Sequence, residues 1–181
     1  MQKKRGLSNY KTTPEAIEHL TDEKNVELYT KHGIYTETEM HSRSEILLEN
    51  YAKVLNIEAL TLLEMIKREI VPAICRYTKD LSQAAISKRD FSEHINTDVE
   101  LELVTELSKL NSELVKLADT IENQLEDAKN IQDNMLLYAK FYHDSVFFNM
   151  EKARNIINKM EANTSSDYWP YPTYTELLFN V

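Results

Sequence analysis

The stretch that decides the fold is TDVELELVTELSKLNSELVKLADTIENQLEDAKNI, residues 97–131. Its apolar residues fall at Leu103, Leu107, Leu110, Leu114, Leu117, Ile121, Leu125, Ala128 and Ile131. Spacings that alternate four and three keep one side of a helix apolar and mark a coiled-coil-like seam. Thr97 with Glu100 has the form of a capping box, which starts the helix there. Outside the seam the segment is acidic: Phe91–Asn130 holds ten Asp or Glu against three Lys or Arg. Glu100, Glu102, Glu106, Glu113, Asp119, Glu122, Glu126 and Asp127 supply most of that excess, and charge in this arrangement reads first as a solvated helix face.

Working outward, the segments on either side have the same character. From Thr36 a second capping box, Thr36 with Glu39, opens a long amphipathic pattern through Ile46, Leu47, Tyr51, Val54, Leu55, Ile57, Leu60, Leu63, Ile66 and Ile70. Pro72 lies inside it, removes one backbone bond and crowds the Arg68 carbonyl, so a kink is expected there. Helix is expected to continue past it, through Ile74, Tyr77, Leu81 and Ala85. On the C-terminal side, an unbroken helix from Thr97 to Met160 would run ~95 Å and leave half its length without a partner. Asn130, Asp133 and Asn134 favour caps over helix interiors. A turn is therefore expected there, with Asp133 as cap of a helix carrying Leu136, Phe141, Val146, Met150, Ile156 and Met160.

Composition agrees. Among 181 residues only two are Gly and four Pro, far too few for the reversals of a sandwich or barrel. Gly6 and Gly33 stand alone, so no phosphate-cradling glycine loop can form. The expected fold is all-α: long antiparallel helices in a bundle, over about 36–88, 97–130 and 133–161. They follow a connecting segment, residues 1–35, and precede an extended aromatic tail, residues 163–181. In the connecting segment Thr13-Pro14-Glu15 reads as a cap with Pro at the first helical position, and Asp22 or Thr21 caps a second short helix closed by Gly33.

The tail reads Tyr168-Trp169-Pro170-Tyr171-Pro172-Thr173-Tyr174-Thr175-Glu176-Leu177-Leu178-Phe179. It is too apolar to trail in water. Trp169, Tyr171, Tyr174, Leu177, Leu178 and Phe179 are candidate docking residues, with either the chain's own helices or a partner as the receiving surface.

Sites for chemistry were sought by spacing. Neither Glu-x-x-His nor His-x-x-x-His occurs, and one cysteine cannot build a structural zinc site. The residues Tyr142-His143-Asp144 point about 100° apart on a helix and cannot converge on one substrate atom. Cys75 reads as a small buried hydrophobe, and a single cysteine fits a reducing compartment. No run of about 20 apolar residues is present, and no apolar segment follows the basic start Met1–Arg5, so the expected location is the cytoplasm. A net charge of -9 argues against a general nucleic-acid binder. No catalytic, cofactor-binding or metal residue emerges.

The order of segments resembles the C-terminal part of type III glutamine synthetases. Thr12-Thr13-Pro14-Glu15-Ala16, Glu23-Lys24-Asn25-Val26-Glu27-Leu28, Lys31-His32-Gly33-Ile34-Tyr35-Thr36-Glu37 and Ser42-Arg43-Ser44-Glu45-Ile46-Leu47 carry the likeness. So do Ile70-Val71-Pro72-Ala73 and the closing Trp169-Pro170-Tyr171-Pro172-Thr173-Tyr174. The resemblance implies large bacterial enzymes forming rings, which make glutamine from glutamate, ammonia and ATP with a divalent metal such as Mg. It also implies that metal, ATP and phosphate ligands lie upstream, so this chain would be a fragment without active site or cofactor, inactive alone. Its implied partners are the catalytic domain of the same polypeptide and neighbouring subunits. The alternative from the residues is an independent coiled-coil module that binds another protein through the Leu103–Ile131 seam.

Overall fold

The structure is a computed structural model, and it describes residues 8–172 and 174–179. The described residues contain helices and no strand. Two short helices come first, α1 (Thr13–Glu18) and α2 (Glu23–Lys31). Then α3 (Glu37–Met65), a π turn (Ile66–Ile70) and α4 (Val71–Phe91) form one continuous 55-residue helical run. After a turn, α5 (Asp98–Ala128) ends in a 3-10 turn, followed by α6 (Met135–Phe141), a second π turn (Tyr142–Phe147), α7 (Phe148–Ala162) and the short α8 (Tyr174–Phe179). The chain is an all-α bundle.

The ends of these helices show how local sequence chooses them. At α3 the capping box forms in full: Glu39 N–H donates to Thr36 Oγ1 at 3.2 Å and Thr36 N–H to Glu39 Oε2 at 2.8 Å. At α1 the cap is Thr12, one residue before the expected position, with its hydroxyl accepting from Glu15 N–H at 3.2 Å. Gly33 sits at φ +66°, the left-handed conformation that stops α2 and that L side chains resist. Asn134, not Asp133, caps α6, its Oδ1 accepting from Leu137 N–H at 3.1 Å. Asn134→Ala is expected to cost about 1 kcal/mol. A urea melt of the variant against the parent chain checks this.

The box expected at Thr97 does not form, because both side chains have stronger partners. Thr97 Oγ1 accepts from Arg89 Nε at 3.0 Å, and Glu100 pairs with Lys88. The irregularity expected at Pro72 lies on its N-terminal side, as the π turn in which Val71 N–H reaches back five residues to the Ile66 carbonyl. An extra residue in the turn shifts the hydrogen-bond ladder, so the Pro72 ring need not meet the carbonyl four residues back. Helix then continues to Phe91.

The chain divides into two compact units, each with its own core. The first takes the chain through Ala59 together with Asn123–Phe148. Its core is Met40, Leu48, Ala52, Leu55 and Ala59 from α3 with Leu125, Ala128, Ala139, Tyr142 and Val146. The buried Tyr142 hydroxyl donates to Asn56 Oδ1 at 3.0 Å, which satisfies the one polar group this ring carries inside.

The second unit takes Leu60–Glu122 and the chain from Asn149 onward. Here α4 and the first part of α5 form an antiparallel hairpin whose register is visible in its cross-pairs. Lys67 Nζ meets Glu122 at 2.6 Å, the Asn111 amide lies 3.5 Å from Cys75 Sγ, and Arg89 meets Thr97 next to the turn. Partners that converge in number toward the turn are the signature of an antiparallel pair. Leu107, Leu114 and Ile121, all at 0% exposure, fill the seam. The leucine repeat therefore serves the chain's own core and is not a free surface for another protein.

Two expectations about faces need correction. Cys75 is exposed, not buried. It lies at the rim of the α4–α5 pairing, within reach of the Asn111 amide, whereas Ala73 and Ile74 turn inward. On α3 the buried face runs through Met40, Ser44, Leu48, Ala52, Leu55, Ala59 and Leu63, while Ile46, Leu47, Val54, Ile57 and Leu60 are exposed by 46–63%. On the buried face Ser44, Ala52 and Ala59 alternate with the larger Met40, Leu48, Leu55 and Leu63. Leu55 and Leu63 are buried as the apolar pattern expects, and the two alanines lie outside that pattern.

Candidate docking surfaces

The aromatic tail is the first candidate. Residues 163–172 carry no regular helix, as two prolines and the capping residues Ser165 and Asp167 require. Trp169 is 9% exposed and belongs to the second unit. Beside it the Tyr168 hydroxyl donates to Asp80 Oδ2 at 2.6 Å, and the Tyr168 and Tyr77 rings lie 5.0 Å apart. This part of the tail docks on α4 of the same chain. Beyond Pro172 the backbone is helical over Tyr174–Phe179, where extended chain was expected, since no further proline interrupts it and Glu176 favours the first turn. Leu177 and Leu178 on that helix are 65% and 73% exposed. The Tyr174 and Phe179 side chains lie outside the described residues. The six docking candidates therefore divide, with Trp169 and Tyr171 against the chain itself and Leu177 and Leu178 facing solvent.

Burial and the Glu69 and Glu64 carboxylates push the Tyr171 phenol up to about 12. The hydrogen bond to Asp80, with burial second, raises that of Tyr168 as well. A folded state that holds phenols neutral keeps its advantage below their ordinary value of about 10 and loses it as pH rises from there through 12. The tail is thus expected to release in that window. Trp169 is the one tryptophan in the sequence, so its fluorescence should shift to the red between pH 10 and 12 and stay constant between 7 and 9.

In the first unit a polar groove of about 330 Å3 gathers Glu15, Glu18, His19, Lys140, His143 and Asp144. Its polar side chains already have partners. Lys140 Nζ meets Glu18 at 2.6 Å, His143 Nδ1 meets Asp144 at 2.7 Å, His19 Nδ1 meets Asp22 at 3.0 Å, and Glu15 accepts from Lys11 N–H at 3.0 Å. The hydroxyl that lines the groove with them is that of Thr12, which is engaged in capping α1. Among the described residues no three His, Cys, Asp or Glu side chains could hold a metal ion. Gly33, the glycine among the described residues, is committed to a helix end.

A second groove, of about 700 Å3, opens between Leu20 and Tyr35 on one side and Arg43, Ile46 and Leu47 on the other. The Arg43 guanidinium sits 4.3 Å above the Tyr35 ring. Sequence reasoning passed over Arg43 because a single arginine on a helix carries no motif. The signal that was present is the second apolar stripe of α3.

Comparison with known proteins resolves what such a scaffold belongs to. Residues 2–89 match the family described as glutamine synthetase C-terminal domain. A glutamine synthetase from Butyrivibrio fibrisolvens is 34% identical over 178 residues, 98% of this chain and 25% of its own length. The chain belongs to the glutamine synthetase C-terminal domain family. A type-3 glutamine synthetase from Dictyostelium discoideum is 29% identical over 99% of the chain, and a protein named glutamine synthetase from Bacteroides fragilis is 28% identical over 97%. In each case the chain spans about a quarter of the relative's length. No helix among its described residues is long and apolar enough to cross a membrane.

Proposed function

We propose that this chain is the scaffold end of a type III glutamine synthetase, a bacterial, cytoplasmic enzyme that ligates ammonia to glutamate at the expense of ATP. In this reading ATP and a divalent metal such as Mg bind the catalytic domain, and the helical region packs on that domain and contributes to contacts between subunits of a ring. The observation that carries it is a likeness over nearly the whole chain to relatives four times its length. The Dictyostelium relative supports the type.

The reading has a direct consequence. Supplied with glutamate, ammonia, ATP and Mg, the chain alone is expected to form no glutamine, and no γ-glutamyl hydroxamate in the transfer assay. Turnover by the purified chain would overturn the assignment of chemistry to another part of the polypeptide.

A further inference from the structure

We infer that the groove between Leu20, Tyr35, Arg43, Ile46 and Leu47 seats the polypeptide that precedes this domain in a full-length synthetase. The inference rests on the proposed function and goes one step further, by naming the surface. The groove has the composition of a docking site. Ile46 and Leu47 are 51% and 46% exposed, and Val54, two turns further along the same side of α3, is 53% exposed. Contiguous apolar surface on an otherwise acidic chain marks a place where something else lies.

The groove also has a polar selector. Arg43 lies over Tyr35; its charge is felt by the Glu39 carboxylate, whose hydrogen bonds go instead to the Thr36 backbone and hydroxyl. An arginine seated over a ring can still turn its guanidinium donors to an incoming carboxylate. The occupant is therefore a segment that sets an apolar side chain between Ile46 and Leu47 and a carboxylate on Arg43.

Connectivity argues for the preceding polypeptide as its source. Relatives carry about three-quarters of their length outside the matched region, and the family is a C-terminal domain. That polypeptide joins ahead of α1, and Leu20 and Tyr35, which wall the groove, follow α1 and α2 closely in sequence. A short tether gives such a segment an effective concentration in the millimolar range, so even modest contacts hold it in place.

The test replaces the last quarter of the Butyrivibrio fibrisolvens enzyme with this chain and compares the full-length chimaera with the free chain by hydroxyl-radical footprinting. Tyr35, Ile46 and Leu47 are expected to be labelled at least fivefold more slowly in the chimaera, with Arg43→Glu restoring much of the labelling. Met40, 1% exposed, should stay protected in both and reports that the unit is folded. Equal labelling of the three residues, with protection appearing elsewhere on the chain, would remove this surface and leave the proposed function standing. No protection anywhere would remove both. Protection in the free chain that grows with its concentration would assign the groove to a second copy and overturn the inference. Should the chimaera be insoluble, the two pieces can be co-expressed as separate polypeptides. Co-purification that is lost with Leu47→Asp is then expected, and co-purification indifferent to it would count against the groove.

Discussion

Trp169→Ala is expected to lower the melting temperature by roughly 6–12 °C, the equivalent of about 3 kcal/mol in a chain of this size. The side chain is 9% exposed, so its removal returns little surface to water in the folded state and leaves a gap in the second unit. Large-to-small changes of buried aromatics cost about 3–5 kcal/mol, and the lower end applies here because the segment is a peripheral one that can partly collapse. The neighbouring contacts are smaller. Tyr168 to Asp80 is an exposed hydrogen bond at 2.6 Å, and the Tyr168–Tyr77 ring pair contributes by contact. A thermal melt followed by circular dichroism reads the effect. Unchanged melting, accompanied by a change in oligomer size, would mean that Trp169 finds its pocket on another molecule.

The same residue shows how sequence and structure divided the work. That Trp169 must be buried follows from its chemistry, and the prolines around it fix irregular backbone; where its neighbour Tyr168 docks depends on Tyr77 and Asp80, some 90 positions away, which no local pattern connects to it. The α5 seam was legible for the opposite reason. Leu107, Leu114 and Ile121 announce a face by spacing alone, and an antiparallel neighbour is the expected way to cover it. On α3 the spacing admitted two faces. Leu48, Ala52, Leu55 and Ala59 form one, Ile46, Leu47 and Val54 the other, and a pattern of large apolar residues takes members of both while passing over the alanines. Thr97 was misread similarly: Thr followed by Glu three residues later is a capping box only if neither side chain has a better partner, and Arg89 and Lys88 supply better ones. The docking groove was invisible for a further reason. Leu20, Tyr35 and Arg43 come from separate elements, and only the path of the chain brings them to one place.

Leu114→Ala is the experiment that separates the two kinds of apolar residue most sharply. Leu114 is 0% exposed in the middle of α5, between Leu107 and Ile121, and every atom removed from it leaves a void that rigid helices cannot close. A loss of about 3–5 kcal/mol is expected, enough to remove a large part of the stability of an ordinary domain. Ile46→Ala, on the exposed stripe of α3, removes a side chain of similar size and should change stability by less than about 0.5 kcal/mol in the free chain. Chemical denaturation of both variants, with the slope of each transition recorded, checks the contrast. Equal and large losses at both positions would mean that the α3 stripe is already covered in the free chain. A small loss at Leu114 would mean that the seam is not the core of the hairpin and would reopen α5 as a surface for another protein. The expected asymmetry places the leucine repeat in folding and leaves the isoleucine and leucine of α3 for assembly.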